Sequence, residues 1–137
     1  MKIALDAMGG DKAPEATVQG GIEAARELGV EVALVGKKEI LSPLCARLGK
    51  GVSSVSIVDA SQIIGMEEHP MEAIRQKPDS SIVKGLGLLK SGEADAFVSA
   101  GSTGSAVAAS FLLLGCIPEI ERPAIALLYS TLSGAAL

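Results

Sequence analysis

Short apolar runs alternate along the chain with longer stretches in which apolar residues recur every three or four positions. Lys2–Ala7 is such a run; the Gly9-Gly10 turn follows it, and then Pro14, which suits the first turn of a helix. From about Pro14 to Leu28 the apolar residues Ala16, Val18, Ile22, Ala25 and Leu28 fall on or near one helical face, and Gly29 offers a left-handed stop. Val30–Val35 reads as the second strand. Gly36 turns the chain into a helix near Lys37–Leu48, jogged where Ser42 caps Pro43 and ended by Gly49 and Gly51, and Val55–Val58 reads as the third strand.

Asp59 to Lys77 breaks this rhythm, mixing Gly65, Glu67, Glu68, His69 and Pro70 with a short helical piece around Met71–Arg75. Long irregular connections of this kind tend to carry function. Asp79-Ser80-Ser81 supplies capping oxygens for a helix from about Ile82 to Lys90, closed by Gly92. Asp95–Ala100 reads as a strand, Gly101-Ser102-Thr103-Gly104 as its turn into a helix over Ser105–Leu114, and Ala124–Tyr129 as a final strand. The order βαβαβ(α)αβαβ, with nearly continuous apolar strands, predicts a parallel sheet covered on both faces, an α/β/α sandwich forming one domain over residues 1–137. Ser130 to Leu137 reads as a turn entering a further strand, so a fragment of a longer protein is expected.

Composition narrows the function classes. Aromatic residues make up 2% of the 137 residues and the net charge is −4, so neither stacking platforms nor a basic footprint for nucleic acid is present. Cys45 and Cys116 form no C-x-x-C pair or zinc spacing and read as two reduced core thiols. The acidic Asp6 arrives too early for a secretory signal, which points to the cytoplasm. Ala106 to Ile117, interrupted only by Ser110, falls short of the roughly 18–20 residues of a membrane-spanning helix and reads as a buried one.

Three loops expected at strand carboxyl ends share one chemistry. Asp6-Ala7-Met8-Gly9-Gly10-Asp11 follows the first strand, and Gly101-Ser102-Thr103-Gly104 opens a helix whose amide N–H groups and dipole suit an anion, phosphate above all. In the third, Arg75 and Lys77 precede the helix start at Ser80-Ser81. Arg captures oxyanions bidentately and Lys acts as a mobile point charge. Each has a purely structural alternative as a turn, a cap or a solvated helix end; their coincidence on one edge favours a phosphate pocket. No G-x-G-x-x-G follows a strand and no G-x-x-x-x-G-K-[ST] occurs, which argues against a dinucleotide-binding module. His69, the only histidine, has Glu67 and Glu68 as possible orienting partners, and no catalytic triad or metal-ligating cluster accompanies it.

Met8-Gly9-Gly10-Asp11 with Pro14, Met66-Glu67-Glu68-His69-Pro70, Arg75-Gln76-Lys77-Pro78-Asp79-Ser80-Ser81, Val98-Ser99-Ala100-Gly101-Ser102-Thr103-Gly104 and Arg122-Pro123-Ala124 together resemble the bacterial PlsX-type acyl-(acyl carrier protein):phosphate acyltransferase family. The motifs follow the family's order over nearly the whole chain. Ser102 stands where the family usually has Asn, and Ser105 where Ala is common. The resemblance implies a fold similar to isocitrate and isopropylmalate dehydrogenases. It also implies a cytoplasmic, often membrane-associated homodimer that moves a fatty acyl group from acyl carrier protein to orthophosphate, without cofactor or metal. The product, acyl phosphate, would feed phosphatidic acid synthesis. A related acyl-phosphate-forming subunit of a reductase complex is the alternative within the same fold, and would bring a reactive cysteine. On this reading Lys77, His69 and Arg75 are the catalytic candidates. Asp6, Gly9, Gly10, Asp11, Ser80, Ser81, Gly101, Ser102, Thr103 and Gly104 are the candidates for holding phosphate.

Overall fold

The structure, a computed structural model, describes residues 1–49, 51–126, 129–131 and 134–136. Its elements are β1 (Lys2–Asp6), α1 (Glu15–Leu28), β2 (Glu31–Gly36), α2 (Lys38–Leu48), β3 (Val55–Asp59), α3 (Pro70–Gln76), α4 (Ser81–Ser91), β4 (Ala96–Val98) and α5 (Thr103–Leu114). An antiparallel pair, β5 (Tyr129–Thr131) and β6 (Gly134–Ala136), follows.

The first four strands form one all-parallel sheet in the order β3-β2-β1-β4. Two crossovers carry the chain from β1 to β2 to β3, and the third returns it past β1 to β4. Alternation of side chains sorts the residues between two faces. Ile3, Leu5, Val32, Leu34 and Ile57 pack with Val18, Ile22 and Ala25 of α1 and with Leu41 of α2. Ala4 and Val35 turn the other way, with Val58, Phe97 and Leu88 of α4. On that second side α3, α4 and α5 share a cluster of Ile64, Ala73, Ile74, Ile82, Leu86 and Ala109. The expected parallel α/β/α sandwich is therefore what the chain forms.

Several local expectations need correction. Helix α2 runs unbroken through Pro43, which has no jog and no Ser42 cap. Pro43 removes one helical donor, on an exposed side of the helix where water can take up the freed carbonyl. Helix α5 is not buried all round: it packs on α3 and α4, while Phe111, Leu112 and Leu114 are exposed. Of the strand expected at Ala124–Tyr129, residues Ala124–Ala126 are irregular and exposed, Leu127 and Leu128 lie outside the described residues, and Tyr129 opens the β5–β6 pair. Neither cysteine is a core thiol, since Cys45 and Cys116 are free and only half-buried.

Candidate functional site

The sheet order reverses between β1 and β4, and in open parallel sheets the crevice at such a reversal, beyond the strand carboxyl ends, is where ligands bind. Two loops meet there. A Cβ on Gly9 would collide with the Asp6 carboxyl group and stand 2.9 Å from both the Cα and the backbone N of Gly101. A Cβ on Gly101 would stand 3.2 Å from the Cα of Gly9. Only paired glycines let these backbones approach so closely. Gly10 follows with φ +105°, against Ala100.

Asp6 holds the junction from beneath. It is 1% exposed; its Oδ1 accepts from the Met8 N–H at 3.1 Å and its Oδ2 from the Ser99 hydroxyl at 2.7 Å. Ser99 Oγ in turn accepts from the Gly101 N–H at 3.0 Å. One buried carboxyl group thus ties both loops together. Ser99, absent from the expected site, is the link between the loops; a serine at a strand end gives no signal in sequence that it will face a buried carboxyl group.

Above this junction opens the first turn of α5. Ser102 is its N-cap, accepting from the Ser105 N–H at 3.3 Å. The N–H groups of Thr103 and Gly104 have no acceptor within the helix, and both residues are exposed. Ser105 is buried beneath them, and its Oγ has no hydrogen-bond partner among the described residues. A Cβ on Gly104 would stand 3.0 Å from Pro70 Cγ, so the His69-Pro70 entrance to α3 abuts the same helix mouth. His69 is exposed there, as the N-cap residue of α3. Asp11 is exposed on the loop leading to α1, whose first turn is tied back where Thr17 Oγ1 lies 2.7 Å from the Ala7 carbonyl oxygen.

In the third expected loop the two cations are placed differently. Lys77 Nζ donates to Glu68 Oε1 at 2.6 Å and to the Ile63 carbonyl at 2.8 Å, so its charge fastens the connection between β3 and α3. That hydrogen bond, with a second from the Gly65 N–H, holds the Glu68 carboxyl below its usual range. Asp79 is held well below the usual carboxylate range by Lys84 at 2.7 Å and by the hydroxyl and N–H of Ser61. Ser80 caps α4 through the Val83 N–H, and Ser81 is buried beside it. Arg75 is exposed and makes no ion pair among the described residues, so it alone of the two expected cations is at liberty to meet an anion. Burial pushes the Cys45 thiol up, the opposite of what a reactive thiolate needs.

The fatty acid synthesis protein family model matches residues 1–137. The chain belongs to that family. It is 51% identical to a phosphate acyltransferase of Heliobacterium modesticaldum over 138 residues, covering 100% of this chain and 41% of that protein. It is also 51% identical to a phosphate acyltransferase of Desulforamulus reducens over 135 residues, 98% of this chain and 40% of that one. A third phosphate acyltransferase, from Dictyoglomus turgidum, is 48% identical over 133 residues, 97% of this chain and 40% of the relative. The chain therefore spans about 40% of the length of these members of the family.

Proposed function

We propose that this chain is the phosphate-holding N-terminal part of an enzyme that transfers a fatty acyl group from an acyl carrier protein thioester to orthophosphate. The observation that supports this most is the exposed α5 mouth, set on the Gly9–Gly101 junction where the sheet order reverses. The relatives' name, phosphate acyltransferase, supports the reaction class.

Phosphate dianion is a competent nucleophile once it is held against the thioester, so no serine or cysteine need be acylated. A phosphate oxygen bonds to the carbonyl carbon, the tetrahedral oxyanion collapses, the C–S bond breaks, and the departing thiolate takes a proton to leave free carrier thiol and acyl phosphate. In this reading the Thr103 and Gly104 N–H groups, the Ser102 and Thr103 hydroxyls and the Gly9-Gly10 backbone bind phosphate, with Arg75 as its mobile counter-charge. In the same reading His69, exposed next to Pro70 at the α5 mouth, protonates the leaving thiolate. Lys77 acts indirectly, by fixing the loop that presents His69. The whole protein is a cytoplasmic, peripherally membrane-associated homodimer whose product is a donor for phosphatidic acid synthesis.

Titration of the isotopically labelled chain with orthophosphate, followed by amide NMR, tests the first step. The largest shifts are expected at Gly101–Gly104 and Gly9-Gly10; shifts centred on Cys45 or Tyr129 refute the pocket.

A further inference from the structure

Pairing places Leu5 beside Leu34 and Val98, and Ile3 beside Val32 and Ala96, so Ile3, Leu5 and Val98 share the sheet face on which α1 lies. Both helices on that face belong to crossovers leading away from β4, and α3, α4 and α5 cluster on the opposite side. The β1–β4 half of the α1 face is consequently bare among the described residues. Val98 remains 49% exposed, and a cavity of about 280 Å³ opens between Ile3, Leu5 and Val98 below and Ala16, Gly20 and Ala24 of α1 beside it. A parallel sheet is ordinarily covered on both faces.

Gly20 makes the bare face informative. Glycine inside a helix costs about 1 kcal/mol relative to alanine. Its neighbour Gly21 has a local reason, since a Cβ there would press on Leu5 at 2.9 Å and Leu34 at 3.1 Å. A Cβ on Gly20 would meet nothing within 4 Å. Gly87 of α4 has similar open space but does not line this cavity. Ala16, Gly20 and Ala24 recur every fourth residue on one side of α1, a surface that lets a second helix approach the backbone closely. The vacancy lies in the helical layer, alongside α1. More than half of the Heliobacterium modesticaldum relative lies outside its match to this chain.

We propose that this groove seats a helix from that remaining portion of the whole protein, packed against Ala16, Gly20 and Ala24 and turning large aliphatic side chains onto Ile3, Leu5 and Val98. The proposal needs family membership but not the phosphate site, so the two can fail separately.

The test compares this chain alone with a whole protein made by joining it to the remainder of the Heliobacterium modesticaldum relative. Gly20→Leu is expected to leave unchanged or raise the thermal midpoint of the chain alone, where the side chain enters open space, and to lower that of the whole protein. A cysteine placed by Ala24→Cys should react with maleimide at least ~10-fold more slowly in the whole protein than in the chain alone, whereas Gly87→Cys should show no such protection. Destabilisation of the chain alone by Gly20→Leu overturns the proposal, because Gly20 then serves the chain's own packing. Equal labelling at Ala24→Cys in both contexts, or equal protection at Gly87→Cys, also overturns it. Concentration-dependent protection of Ala24→Cys in the chain alone assigns the groove to a second copy instead.

Discussion

At the scale of single residues the candidate site is governed by packing tolerance at Gly9 and by hydrogen bonding at Ser99. Adding a methyl group at Gly9 forces it onto Asp6 and the Gly101 backbone, neither of which is the loose end of a flexible side chain. Gly9→Ala is expected to cost about 1–3 kcal/mol, as overpacking does, and to part the two loops. Ser99→Ala removes a donor to Asp6 Oδ2 and an acceptor from the Gly101 N–H, with an expected cost of about 1–3 kcal/mol for groups left unpaired. Ser105→Ala removes a buried hydroxyl that has no partner among the described residues and is expected to be neutral or stabilising. Urea midpoints at constant m give the ranking, and phosphate titration of the same variants should weaken with Gly9→Ala and Ser99→Ala. If Ser99→Ala proves as harmless as Ser105→Ala, the Asp6–Ser99–Gly101 chain is not what holds the junction. The glycines were legible in the sequence because turn chemistry is local. The Asp6–Ser99 pair joins residues 93 positions apart, and no local pattern announces it.

Among the elements, the strands and helices of the sandwich follow directly from apolar spacing and from punctuation by Gly29, Gly49 and Gly92. Less is legible where a residue type has two uses. Lys77 reads equally as an anion ligand or as a strut, and which it becomes depends on the loop fold that brings Glu68 within 2.6 Å. The α5 sequence reads as interior on hydropathy alone, yet exposure depends on how many neighbours an apolar helix has. The ion pairs around α3 and α4 have a measurable consequence. Folding lowers the affinity of Glu68 and Asp79 for protons, so near and below the ordinary carboxylate values of about 4 the unfolded chain binds more protons than the folded one. Their stabilisation is therefore fully present above those values and is lost as pH falls through and below them. Both groups are solvent-accessible, so salt screens the effect. Urea unfolding at a series of pH values from mildly acidic downward should show wild-type stability converging on that of a Glu68→Gln, Asp79→Asn variant as acid is added. A gap that stays constant across the series would mean that these carboxyl groups are no better held in the folded state than in the unfolded one.

For the molecule as a whole, what matters is which surfaces the layers leave uncovered. The α1 side of β1 and β4 is one; the outward side of α5 is another, across the sheet from it. On α5 the buried residues Ser105 and Ala109 face α3 and α4, while Phe111 and Leu112 are 46% and 47% exposed, Leu114 is exposed beside them, and Ile117 follows at 72%. Large apolar residues spaced through one helix and its exit form the kind of contiguous patch that drives association. The chain is expected to self-associate through this face, with a sedimentation coefficient that rises with concentration. Phe111→Glu with Leu112→Lys, both at positions where a charged side chain can reach water, should return it to a monomer without changing its far-ultraviolet circular dichroism. Gly20→Leu, on the opposite face, should leave this association untouched. A wild-type chain that sediments as a monomer at every concentration, or a Phe111→Glu, Leu112→Lys variant that associates as strongly as wild type, would remove α5 as the adhesive face. In the whole protein, where additional polypeptide is available, the same two substitutions should weaken stability only if α5 is covered there as well, so the difference in urea midpoint between the substituted chain and the substituted whole protein separates a surface that stays exposed from one that becomes interior.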